Sequence, residues 1–154
     1  MAITRMQAEG ILLARAGRKM ALVDLDAATK DGSNPDLNEP LASALLGMGE
    51  VPADILAITD SDLADVSEVA ELLDRAELRL LETIAGNIDL VDVTIGPRHE
   101  SLSQLAGQVE NAISRLTEKI QKMYGAGVGT ISGGSISLDF VSKGDDDLPG
   151  QEVY

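Results

Sequence analysis

Apolar residues recur every three or four positions over several stretches of the chain, and each stretch is bracketed by turn-forming residues. Thr4-Arg5-Met6-Gln7 has the form of a capping box, a hydroxyl N-cap with Gln three residues later. The helix it opens runs from Gln7 to about Val23, with Leu12, Leu13, Ala16 and Met20 as its apolar face. Thr29 to Pro35 holds Asp-Gly and Asn-Pro, both strong breakers, and reads as a loop. A short helix is predicted over Asp36 to Met48, or from Pro40 onward, stopping near Gly47 or Gly49. Pro52 marks a further break, and Thr59-Asp60-Ser61-Asp62 starts a helix of a turn or two. Asp65 to Glu68 reads as the N-cap of the main helix of the first half. Val69, Leu72, Leu73, Ala76, Leu80 and Ile84 form its face, Leu78 and Leu81 broaden it, and Gly86-Asn87 is its expected end. A helix this apolar is expected to be covered on more than one side, by its own chain or by a partner subunit.

Ile88 to Ile95 is rich in β-branched residues and reads as a short strand or an extended linker. Ser101-Leu102-Ser103-Gln104 is a second capping box. Behind it Leu102, Leu105, Val109, Ile113, Leu116, Ile120 and Met123 make one stripe that ends at Tyr124-Gly125. The stripe drifts with a 3.6-residue period, so the expected element is a long amphipathic helix rather than a free coiled coil. Glycines then puncture a β-leaning stretch, in which Ser135 to Val141 alternates polar and apolar, as a strand or hairpin would. Two strands alone are marginal in water and need a helix or a partner's sheet beside them. The expected fold is therefore mainly α. It has a helical domain over 1–125, a Gly-rich β segment over 126–142 and a flexible acidic tail over 143–154.

Composition narrows the functions open to such a fold. The 154 residues suit one domain, which can bury roughly 70% of its unfolded surface. Its core must be aliphatic, because Tyr124, Phe140 and Tyr154 are the whole aromatic complement. A net charge of −14 argues against nucleic-acid binding, which needs a basic footprint and, for single strands, aromatic platforms. It also disfavours anionic membrane surfaces. No apolar run approaches the ~18 residues of a membrane span, and no secretory segment is recognisable, so cytoplasmic synthesis is expected. With no Cys, disulfides and Cys-ligated zinc are excluded. The charge is also polarised along the chain. Residues 1–20 carry a net +3 and residues 21–96 a net −14.

No pattern with catalytic spacing emerges. His99 is the only histidine, and it reads as a surface residue near a helix N-terminus. There is no Gly-x-Ser-x-Gly elbow. Asp24-Leu25-Asp26 and Asp60-Ser61-Asp62 lack the Gly and Glu of a calcium loop. Gly125-Ala126-Gly127-Val128-Gly129 follows a helix and precedes a strand, the reverse of a phosphate-binding loop. Arg5, Arg15, Arg18 and Lys19 read as a solvated or inter-subunit face, with Arg15, Arg18 and Lys19 the candidates for charge pairing with a neighbouring subunit. No enzyme, cofactor or metal site is expected.

Several segments together carry a resemblance. They are Gly32 to Leu41, Leu73 to Glu82, Val91 to Arg98, Ser101 to Gln104 and the Gly-rich stretch Gly125 to Phe140. In this order they resemble small structural proteins of tailed bacteriophages and prophages, in particular the head-to-tail connector, or adaptor, beneath the portal. The resemblance spans residues 5–142 and rests on structural rather than catalytic motifs. It implies a virion neck protein assembled in the host cytoplasm, a homo-oligomeric ring, commonly of twelve copies. The portal protein would lie on one side and a stopper or tail-completion protein on the other, with DNA passing through unread. Family adaptors send a C-terminal segment toward the portal. Here that segment is Ser135, Ile136, Ser137, Leu138, Asp139, Phe140 and Val141, with Tyr154 beyond. A strand in need of an edge fits β-augmentation. An acidic regulatory protein that mimics DNA and binds a host DNA-binding protein is the alternative expectation.

Overall fold

The computed structural model describes residues 2–91 and 99–125, and the architecture over them is helical throughout. Five helices follow in order: α1 (Arg5–Leu22), α2 (Asn38–Gly47), α3 (Asp60–Ala64), α4 (Val69–Val91) and α5 (His99–Tyr124), with a single 3-10 turn at Pro35–Leu37. Among the described residues no strand occurs and no helix is long and apolar enough to cross a membrane. The expected strand or hairpin over 126–142 and the tail over 143–154 lie outside the described residues.

Helix α4 is the axis of the fold, with α2, α5 and α1 all packed against it. Leu72, Leu73, Ala76, Leu78, Leu80, Leu81, Ile84 and Ile88 are all buried. At 100° per residue these positions sweep roughly two-thirds of the helix circumference, which the helix's own chain covers. Burial of each such side chain contributes about 1.5–3 kcal/mol. Leu102, Leu105, Val109, Leu116 and Ile120 of α5 close over one side of α4, while Met123 remains 62% exposed.

Local chemistry sets most of the boundaries. At α1 the Thr4 side chain accepts from the Gln7 N–H and the Gln7 side chain accepts from the Thr4 N–H, so the capping box forms as read. Asn38 begins α2, which places Pro40 in the first turn, where a missing N–H leaves no intrahelical bond unmade. The helix ends in a Schellman arrangement: Gly49 sits at φ +83°, its N–H reaches Leu46 O, and the Glu50 N–H reaches Leu45 O. Gly125 takes the same left-handed conformation (φ +77°) after α5.

Three boundaries differ from the sequence reading. Asp65 caps the C-terminus of α3 rather than opening α4, which begins at Val69. Gly86-Asn87 does not end α4. The helix continues to Val91 because Ile88 extends the stripe of Leu81 and Ile84 into the core, and that packing outweighs the low helix propensity of glycine. Residues 88–91 are therefore helical rather than strand or linker, and 92–95 lie outside the described residues. Helix α5 starts at His99, so Ser101 is inside the helix and is not its cap.

Candidate functional site

Arg5 and Glu9, one helical turn apart on α1, form an ion pair that is almost wholly enclosed: Arg5 is 4% exposed and Glu9 0%. Arg5 Nε donates to Glu9 Oε1 at 2.8 Å. Its Nη1 donates to Asn38 Oδ1 and the Ile58 carbonyl, and its Nη2 to the Asn34 carbonyl. Glu9 in turn accepts from the Gly32 N–H (2.7 Å) and the Asn34 N–H (3.0 Å). Asn34 extends the network, its amide donating to the carbonyls of Asp26 and Thr29. Two loops, 24–37 and 49–59, are thus tied to the first turns of α1 by one buried charge pair. Arg5 is not part of a solvated basic face, contrary to the sequence reading. Isolated burial of either charge would be prohibitive, and only this complete set of partners makes it tolerable. Among the described residues no buried side-chain nitrogen or oxygen lacks a partner.

A second node lies where α1, α4 and α5 meet. Asp74 of α4 is 2% exposed. Its Oδ1 faces Arg15 Nη1 at 3.3 Å, and its Oδ2 faces Lys119 Nζ at 2.7 Å and accepts from the Tyr124 hydroxyl at 3.1 Å. Arg15 also reaches Glu77 at 2.8 Å. Burial, then the hydrogen bond and charge of Asp74, push the Tyr124 phenol above its usual pKa. Of the three inter-subunit charge candidates, Arg15 is engaged inside the chain, Arg18 is exposed and Lys19 is half-buried. Tyr124 likewise spends its hydroxyl on its own chain.

One acid of each of the two Asp-x-Asp pairs, Asp26 and Asp62, is occupied by local donors. The Asp26 carboxyl is held below the usual range by the Thr29 side chain, then by the backbone N–H groups of Thr29 and Ala28. Asp62 is held low by the N–H groups of Ala53 and Thr59 and by the Thr59 hydroxyl. Among the described residues no three His, Cys, Asp or Glu side chains are grouped as a metal site would require. His99 is the first residue of α5. Ser135, Ile136, Ser137, Leu138, Asp139, Phe140, Val141 and Tyr154 lie outside the described residues.

Part of the open surface is apolar. A groove of about 490 Å³ is lined by Ala2, Ile3, Gln7, Gly10, Ile11 and Val69. On the loop after α2, Val51 is 81% exposed, Ile55 53% and Leu56 86%. That loop is fixed rather than loosely draped. The Asn38 amide donates to the Ile55 carbonyl, the Ile58 N–H donates to Asn38 Oδ1, and the Ala53 N–H donates to Asp62 Oδ1. Sequence reasoning registered this stretch only as a break at Pro52. Three large aliphatics in six residues of loop were the available signal. Comparison with known protein families, with curated proteins and with solved structures returned no match.

Proposed function

We propose that this chain is a non-enzymatic structural subunit of a tailed-phage virion, a head–tail connector that assembles as a ring beneath the portal. The observation that carries the reading is where its polar and apolar groups are spent. Arg5, Glu9 and Asp74, the buried charged side chains, are all consumed in holding helices and loops together. Among the described residues no buried charge is left poised for chemistry, while large aliphatic side chains are held out to solvent on a fixed loop and beside an apolar groove. Such a surface suits protein–protein contact. The order of sequence motifs that resembles phage adaptors adds the class of partner: a portal on one side and a stopper or tail-completion protein on the other.

Function in this reading is geometric. A rigid aliphatic bundle sets the spacing of copies around a channel, and the acidic excess of residues 21–96 keeps passing DNA from adhering. The C-terminal residues Ser135–Val141 and Tyr154 are assigned to the portal or a neighbouring subunit. Purified chain mixed with portal protein should give neck-like rings in negative-stain class averages. Portal rings that stay bare at saturating chain, with the chain instead captured by a host DNA-binding protein, would favour the DNA-mimic alternative.

A further inference from the structure

The apolar loop and the apolar groove lie on opposite sides of α1. Arg5, Glu9 and Leu12 share the face of α1 that meets the loops, and Arg5 touches the Ile58 carbonyl at the base of the 49–59 loop. At 100° per residue, Gln7, Gly10 and Ile11 project from the other side, where the groove is. The two features also match in size. A cavity of about 150 Å³ holds one benzene-sized group, so 490 Å³ has room for the two or three side chains that Val51, Ile55 and Leu56 present.

Their charged surroundings are complementary. The exposed acids Glu50 and Asp54 flank the apolar loop. On α1 the groove face continues to the exposed Arg18, two turns or about 10 Å beyond Ile11. Gly10 leaves room at this place: among the described residues a Cβ here would meet nothing within 4 Å, so a larger side chain can be set in the groove without a clash inside the chain.

We infer that the occupant of the groove is a second copy of this chain: the Val51, Ile55 and Leu56 loop of one copy seats over Gly10 and Ile11 of the next, with Glu50 and Asp54 facing Arg18. Because the two patches differ and lie on opposite sides of α1, the contact is head-to-tail. Each copy then has one loop to give and one groove to fill, so the association propagates, as a ring where the rotation between copies closes and as an open filament where it does not. This assignment deepens the proposed function and rests on the reading of the chain as a self-associating ring subunit.

The absence of cysteine makes the contact directly testable. The full-length Ile11→Cys/Leu56→Cys variant, treated with a short bismaleimide, should give a ladder at successive multiples of 16.2 kDa. Either single variant should give none. Absence of the ladder overturns the proposal, as does a dimer from a single variant, which marks a symmetric contact. Gly10→Leu fills the groove and should keep or raise helicity and melting temperature while weakening self-association roughly tenfold or more by sedimentation. Unchanged association of a folded Gly10→Leu protein also overturns it. Arg18→Glu should weaken association, and Glu50→Lys should restore it. Portal complexes that form without a ladder refute this interface and leave the connector reading standing; a ladder without portal binding does the reverse.

Discussion

Glu9 has no contact with solvent, yet both of its oxygens are occupied, by Arg5 and by two backbone N–H groups from another part of the chain. Removing one partner of such a pair leaves the other charge buried and uncompensated. Glu9→Ala is therefore expected to destabilise the fold by about 3–5 kcal/mol in urea denaturation at neutral pH. Tyr124 gives a test of opposite character. Its folded-state pKa is raised, so its contribution is fully present below the ordinary phenol value and is lost as pH rises through the raised one. The melting temperature should fall more steeply above about pH 10 in the wild type than in Tyr124→Phe. Equal slopes would show that folding does not raise the phenol's pKa. None of this was legible from residue types alone. Arg5 and Glu9 stand at a spacing common to many surface pairs, and what buries them is Asn34 and Asn38, 25 or more residues away.

Elements were read more successfully than their ends. The stripes of α1, α4 and α5 are all in the sequence, because an aliphatic face at 3.6-residue spacing has few other uses in a helix of this length. The capping box at Thr4 and the helix start at Thr59 were also readable, since the bonds that make them are local, whereas the box read at Ser101 falls inside α5. Ends fixed by tertiary packing were not. Gly86 carries a stop signal, but the burial of Ile88 carries α4 through it. That leaves an exposed glycine inside a helix with nothing within 4 Å of a Cβ. Gly86→Ala should raise stability by about 0.5–1 kcal/mol in chemical denaturation. A neutral or destabilising result would place the end of the helix back at Gly86-Asn87.

Across the whole molecule, the net charge of −14 is unevenly spent. Arg15, Arg75 and Arg79 all lie against acids of the chain's own helices, while the N-terminal helix keeps Arg18 on its outer face. Sequence polarity pointed to charge pairing between copies. The fold separates the basic residues that pair within the chain, Arg5 and Arg15, from Arg18, which stays exposed. The apolar loop at Val51–Leu56 could not be read as a surface feature, because exposure depends on which loop the Asn38 and Asp62 side chains hold outward. Copies of this chain that add to a portal as a ring raise the mass of the portal particles, and weighing those particles with and without the chain is the most direct measurement. The expected increment is a whole multiple of 16.2 kDa, saturating at the rotational order of the portal. A portal mass that does not change at saturating chain contradicts it.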